Sequence, residues 1–195
     1  MLSVIMAGGK GSRLSLGEKP LVKIAGTPML SYVISAFQRA NCDILVIASP
    51  AVPMTINWCR ANGIDYYKSR GTGYVEDLIE CITETGEKSP FFSCVSDLPG
   101  IKPLHIEYVW EKYLMSGKEA CSVWVPRSLF LSNGCTCSYS EEIDGINACP
   151  VGLNILNGEN IENEQKEYKI VLNESSLAYN INTKEDFEKV SLYFD

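Results

Sequence analysis

A single histidine, His105, is all the sequence offers of the commonest general base. No serine or cysteine stands in a pattern that would pair with it as a nucleophile, so a covalent intermediate is not expected. His105 falls at the start of an expected helix, where a structural role accounts for it. Long apolar runs are also missing. No stretch approaches the ~18 residues that a membrane span requires. A glycine-rich loop begins by residue 8, which leaves no room for a signal peptide, and a cytoplasmic location is expected. A basic excess is absent as well: the net charge is −7, which argues against a general nucleic-acid surface. An anionic substrate would have to be attracted by a local cluster of cations. Internal repeats, linkers and low-complexity tracts are lacking. The 195 residues, 46% of them apolar, suffice for one domain spanning residues 1–195 with a substantial core.

Cysteine, by contrast, is plentiful. Of the eight, several lie inside apolar runs, as Cys94 does in Phe91–Val95. In a reducing compartment they are expected to be small buried hydrophobes rather than disulfide partners. Cys135-x-Cys137 is the closest pair, and no second pair at zinc-like spacing accompanies it.

What the chain does have is Met6-Ala7-Gly8-Gly9-Lys10-Gly11-Ser12-Arg13-Leu14, followed by Glu18-Lys19-Pro20-Leu21. It comes directly after Leu2–Met6, an apolar run that reads as a short buried strand. Gly8, Gly9 and Gly11 let the backbone turn sharply, approach a ligand and converge its N–H groups on an anion. Lys10, Arg13, Lys19 and Lys23 stand against one carboxylate, Glu18, so this acidic chain is locally basic here. Glycine-rich backbone with flanking cations just past a strand end is a way to hold a polyphosphate. It is not a P-loop, because no glycine lies five residues before Gly9 or Gly11. It is not the dinucleotide fingerprint, because Leu14 stands where that pattern needs Gly or Ala.

Further along, apolar runs alternate with helical spacing. Met29, Leu30, Val33, Ile34 and Phe37 predict a helix, Asp43–Ala48 a buried parallel strand, and the stretch from Pro53 to about Asn62 a helix. A short strand is expected over Ile64–Tyr67, a helix carrying Val75, Leu78, Ile79 and Ile82, and a strand over Phe91–Val95. Pro103 to about Met115 reads as a helix and Ala120–Val125 as a strand. Ala148–Leu156 and Tyr168–Leu172 read as further strands, with a last helix after Thr183. Ser128–Asp144 has no clear period and reads as an excursion with short strands. The alternation predicts an α/β fold, a mostly parallel, mixed and twisted sheet with helices on both faces.

In such a sheet ligands bind at the carboxyl ends of the strands. The polar clusters after Met6, after Ala48 (Ser49) and after Val95 (Ser96-Asp97) all fall there. Asp97 can bind Mg²⁺, which favours one or two carboxylates together with substrate phosphates and water. It can equally initiate the turn into Leu98-Pro99-Gly100. Asn180 and Asn182 can complete a metal shell, or Asn182 can simply end a strand before a helix cap. The loop Ser69–Gly73 can frame a nucleobase with its backbone at Gly71, Thr72 and Gly73. Glu76 and Asp77 then read as helix-dipole partners.

The chain resembles the archaeal-type GTP:adenosylcobinamide-phosphate guanylyltransferases, small relatives of the molybdenum-cofactor guanylyltransferases. Residues 5–21 carry the resemblance, with G-T-G-Y-V-E-D-L-I-E-C-I at 71–82, S-D-L at 96–98, P-V-G-L-N-I at 150–155 and N-I-N-T-K-E-D at 180–186. Ser15-Leu16-Gly17 departs from the family's Gly-rich or Met-Gly start. The resemblance implies a Rossmann-like nucleotidyltransferase fold and transfer of GMP from GTP to adenosylcobinamide phosphate, with Mg²⁺ as cofactor. It implies that Ala7, Gly8, Gly9, Gly11 and Ser12 hold the triphosphate, with Ser49, Gly71, Thr72 and Gly73 on the nucleotide. Lys10 and Arg13 would stabilise the leaving pyrophosphate, and Lys19 would meet the α-phosphate. Asp97 and Asn182 would hold the metal. Gly152 and Asn154 would line the acceptor side, Gly152 leaving room for a bulky substrate; from the residues alone, Gly152 also fits a strand bulge. The residues alone do not fix the base, so a molybdenum-cofactor, cytidylyl or uridylyl enzyme stays open, as does an inert nucleotide-binding module. Small relatives are often dimers, and no apolar stripe here decides whether this chain is a homodimer.

Overall fold

The structure, a computed structural model, describes residues 1–9, 16–135, 137–179, 181 and 184–194. In chain order the elements are β1 (Leu2–Met6), β2 (Lys23–Ile24), β3 (Thr27–Pro28), α1 (Met29–Arg39), β4 (Asp43–Ala48), α2 (Pro53–Ala61), β5 (Tyr66–Lys68) and α3 (Tyr74–Thr85). Then come β6 (Pro90–Val95), α4 (Pro103–Ser116), β7 (Ala120–Pro126), α5 (Arg127–Ser132), β8 (Glu141–Ile143), β9 (Ile146–Asn157), β10 (Glu167–Val171) and α6 (Lys184–Phe194).

Eight strands form one sheet in the order β10-β7-β9-β6-β1-β4-β5, with β8 added to β9. β4 and β6 pair parallel to β1 on its two sides, and β9 runs antiparallel between β6 and β7. The expected mostly parallel, mixed sheet is therefore present. Alternation along the strands decides which helix covers which face. Ile5, Val46, Phe92, Cys94, Val123 and Leu153 point to the side packed by Phe37 of α1, Cys59 of α2, Ile106 of α4 and Phe130 of α5. Val4, Met6, Ile47 and Phe91 point the other way, to Leu78, Cys81 and Ile82 of α3. Phe37 meets Phe92 edge-on at 5.5 Å between centroids. Buried rings and aliphatics of this size each contribute about 1.5–3 kcal/mol, so the helix-rich face dominates the core.

Several elements go beyond the sequence expectations. β2 and β3 form a tight hairpin through Ala25 and Gly26, both with positive φ (45° and 79°), the combination that a two-residue hairpin turn demands. The aperiodic stretch 128–144 holds α5 and β8, the latter seated on β9. Elements this short leave too few residues to display a period. Cys137 is disulfide-bonded to Cys149, with Cα atoms 6.3 Å apart. This corrects the expectation that the cysteines are isolated hydrophobes: the excursion returns beside β9 and brings together two thiols that lie 12 residues apart. For Cys81 and Cys121 the expectation agrees with the structure. Both are buried, and burial pushes each thiol up to about 12.

Gly152 serves the sheet. Its φ is +76°, and a Cβ there would lie 2.7 Å from Val95 Cγ1. It sits where the β7–β9 register slips between Ser122 and Trp124. The room left by the missing side chain is thus filled by Val95 and is not open to a substrate, which corrects the acceptor reading in favour of the bulge.

His105 is structural, as expected. It is 2% exposed and its Nδ1 accepts the Lys102 N–H at 3.2 Å, closing the start of α4. Its Nε2 has no hydrogen-bond partner among the described residues, although Glu174 Oε2 lies 3.6 Å away. Burial holds its pKa below the ordinary value, against the opposing pull of Glu174. A lowered folded-state pKa means that the unfolded chain takes up the proton first, so stability is lost as pH falls from about 6.5 toward the folded value.

Two measurements check these packing claims. Gly152→Ala should cost about 1–3 kcal/mol through backbone strain and collision with a β-branched side chain, read as a lowered Tm; an unchanged Tm contradicts it. His105→Gln should flatten the decline of Tm between pH 7 and pH 5.5. An equal slope in both proteins would show that another group controls it.

Candidate active site

Parallel register builds the site. Met6 of β1 pairs with Ile47 of β4 and with Val95 of β6, so the three strands end level with one another. One to three residues later each strand delivers a polar group: Gly8 and Gly9, Ser49, and Ser96 with Asp97. These residues, with Lys19, Gly71, Gly73, Tyr74 and Asp77, line a cavity of about 370 Å³ floored by Met6, Ile47 and Val95.

Asp97 is fixed by its neighbours. On one side the Ser96 N–H donates to the Met6 carbonyl at 3.2 Å, and on the other Leu98 is wholly buried in the core. Gly100 follows, so close to the Ser176 carbonyl that a Cβ would sit 2.0 Å from its oxygen. The Asp97 carboxylate is thereby held at the cavity wall, 9% exposed. Lys19 opens the single 3₁₀ turn Lys19–Leu21, whose Pro20 is buried. Its Nζ donates to Asp97 Oδ2 across 78 residues of chain. A glycine-loop cation and a distant aspartate, both largely buried, therefore face one pocket.

The Ser49 hydroxyl donates to the Gly8 carbonyl at 2.9 Å and accepts the Ala51 N–H at 3.2 Å. Gly8 and Gly71 both press on the Ser49 side chain: a Cβ on either would lie 3.3 or 3.2 Å from Ser49 Cβ. Ser49 is thus the post against which the first and third loops lean. The third loop is organised by Asp77, which the sequence presented as a helix-dipole partner. Asp77 is 5% exposed. Its Oδ1 accepts the Gly71 and Thr72 N–H groups, each at 3.0 Å, and its Oδ2 accepts the Ser69 hydroxyl at 2.9 Å. The Gly71 and Thr72 amides are committed to this carboxylate. Tyr74 adds a phenol bonded to Ser93 Oγ at 3.0 Å; burial, chiefly, pushes it up to about 12, and it stays neutral.

Not every expected residue reaches the cavity. Ala7 is wholly buried and its N–H donates to the Ile47 carbonyl at 2.8 Å, so it continues the sheet. Thr72 is exposed, its N–H bonded to Asp77, and does not line the cavity. Asn154 is half-buried within β9, opposite Ser93 and Ser122 and off the cavity. Lys10, Gly11, Ser12, Arg13, Asn180 and Asn182 lie outside the described residues. Among the described residues no group of three or more His, Cys, Asp or Glu gathers to hold a metal. One carboxylate facing this cavity nevertheless suits Mg²⁺, which takes its remaining ligands from substrate phosphates and water.

Glu18 and Tyr74 went unrecognised in the sequence as site groups. Glu18 had a signal: α2 begins Val52-Pro53 with no capping side chain of its own. Tyr74 had none, since its register against Ser93 is tertiary.

The sequence profile of the MobA-like NTP transferase domain matches residues 3–136. The adenosylcobinamide-phosphate guanylyltransferase of Methanocaldococcus jannaschii is 33% identical over 199 aligned residues, covering 96% of this chain and 94% of that protein. The molybdenum cofactor guanylyltransferase of Yersinia pseudotuberculosis is 33% identical over 76 residues, which cover 39% of this chain and 33% of that protein. Among solved structures, molybdopterin-guanine dinucleotide biosynthesis protein A from Archaeoglobus fulgidus superposes with a TM-score of 0.70 at 12% identity, covering 100% of this chain and 98% of that one. CMP:2-keto-3-deoxy-manno-octonic acid synthetase does so with a TM-score of 0.73 at 14% identity, covering 99% and 97%. Alike to a guanylyltransferase along nearly its whole length, and matched by the domain profile over most of it, the chain belongs to the MobA-like NTP transferase family.

Proposed function

We propose that this protein transfers GMP from GTP to adenosylcobinamide phosphate, giving adenosylcobinamide-GDP and pyrophosphate. The observation that carries the reading is the meeting of Lys19 and Asp97 at a cavity of about 370 Å³ at the strand tips. The near full-length kinship to a guanylyltransferase names the substrates. The terminal phosphate of the acceptor attacks the α-phosphorus of GTP; a P–O bond forms there as the bond to the pyrophosphate leaving group breaks. The nucleophile is already ionised, so the reaction needs charge neutralisation and in-line positioning more than a base.

Gly8 and Gly9 turn their backbone toward the triphosphate, with Gly11 and Ser12 continuing the loop. Lys10 and Arg13 take the charge that builds on the leaving pyrophosphate. Lys19 stands at the α-phosphate, where attacking and leaving oxygens both carry charge. Asp97, with Asn182, would hold the Mg²⁺, which would supply Lewis-acid neutralisation of the phosphates. The loop braced by Asp77 frames the base. The acceptor enters along the cavity wall that Tyr74, Val95 and Ser96 form.

Thermal shift in Mg²⁺ should rank GTP above CTP and UTP, and GTP with adenosylcobinamide phosphate should release pyrophosphate. Stabilisation by CTP or UTP alone, or release only with a molybdopterin acceptor, sinks the assignment. Lys19→Ala and Asp97→Ala should each cut turnover at least ~100-fold, on the order of 2.7 kcal/mol of transition-state stabilisation; a loss of only a few-fold refutes those roles. Asp77→Ala, which leaves the Gly71 and Thr72 N–H groups without their acceptor, should raise KM for GTP about tenfold or more while kcat moves less. An unaltered KM would remove Asp77 from the framing of the base.

A further inference from the structure

The first loop leaves the sheet at Gly8 and rejoins described structure before Glu18, and both ends are tied to the same short segment. At the near end the Gly8 carbonyl accepts the Ser49 hydroxyl. At the far end the Glu18 carboxylate grips the first turn of α2. Its Oε1 accepts the Met54 N–H at 2.8 Å, and its Oε2 accepts the Thr55 N–H at 2.6 Å and the Thr55 hydroxyl at 2.7 Å. α2 supplies no cap from its own N-cap residue, Val52. Glu18, 36 and 37 residues away in sequence, does what a local Ser or Asp would do, with a negative charge at the positive end of the helix. Thr55 is fully buried, so its two bonds to Glu18 are partly sheltered from water, while the Met54 bond lies at the surface.

The residue after Glu18 is Lys19. Adjacent side chains therefore leave the backbone for different partners: Glu18 goes to α2 and Lys19 to Asp97. A lysine has four rotatable side-chain bonds, and a loop end tied down by Lys19 alone would let its ammonium wander. We infer that Glu18 is a positioning residue: its clamp on the Met54 and Thr55 amides fixes the backbone from which Lys19 reaches the reacting phosphates. The inference rests on the transferase reading for its kinetic arm and stands apart from it in the chemical arm below. Glu18 touches no reacting atom; it acts through Lys19.

The test uses the full-length protein carrying Glu18→Ala, or Glu18→Gln, which is nearly isosteric and keeps one acceptor oxygen should the alanine variant fold poorly. With GTP, Mg²⁺ and adenosylcobinamide phosphate, Glu18→Ala should lower kcat for pyrophosphate release at least tenfold, with KM for GTP within about threefold; Glu18→Gln should fall between it and the parent. In a Lys19→Ala background, Glu18→Ala should lower kcat by less than twofold further, because the group it positions has gone. A lowered Tm with unchanged kcat, or equal losses in both backgrounds, overturns the inference. Independently, reductive methylation followed by peptide mass spectrometry should find Lys19 in Glu18→Ala modified at least fivefold faster, relative to exposed Lys23, than in the parent. Equal Lys19 reactivity overturns the positioning role. If the parent releases no pyrophosphate with any nucleotide, the transferase reading fails and the methylation result alone decides the role of Glu18.

Discussion

The level ending of β1, β4 and β6 is the constraint on which the site depends. Met6, Ile47 and Val95 are hydrogen-bond neighbours in the sheet, so their successors leave it together. A one-residue slip of β6 against β1 would move Asp97 along the strand direction and turn alternate side chains to the opposite face. Phe91 and Phe92, buried on opposite faces and each wholly enclosed, forbid that slip. The position of the acid is thus guaranteed by hydrophobic burial well below it.

Electrostatics then sharpens what geometry provides. The chain carries a net charge of −7, and a triphosphate approaching most of its surface would be repelled. Lys19 places a cation where the strand tips open. Lys19 and Asp97 compensate each other where both are largely buried, which spares each the cost of being desolvated without a partner. A second layer supports these groups. Ser49 braces Gly8 and Gly71, Asp77 gathers the Ser69–Thr72 backbone, and Glu18 ties the end of the first loop to α2. Their polar atoms are spent on protein, and that leaves the cavity walls stiff enough to orient a polyphosphate.

The other half of the sheet is built differently. Strand β9 runs against its neighbours, bulges at Gly152 and is crosslinked through Cys149 to Cys137. α3 packs on Val4, Met6, Ile47 and Phe91, and Ser93, Ser122 and Asn154 lie on that same sheet face, the two serines buried.

Read by itself, the sequence determined the alternation of strands and helices, the parallel core, the glycine loop with its cations, and Asp97 at a strand tip. Each of these is written in contiguous residues, as a period, a run or a motif. It equally placed His105 in a structural role, because a lone histidine at a helix start has no catalytic company. Only the tertiary structure decided that Gly152 yields to Val95, that Cys137 joins Cys149, that Ala7 stays in the sheet, and that Asp77 and Glu18 hold loops rather than ligand. Those outcomes depend on which distant atoms come within 3 Å of one another. Such proximity follows from strand register and chain return, which no local pattern of residue types encodes.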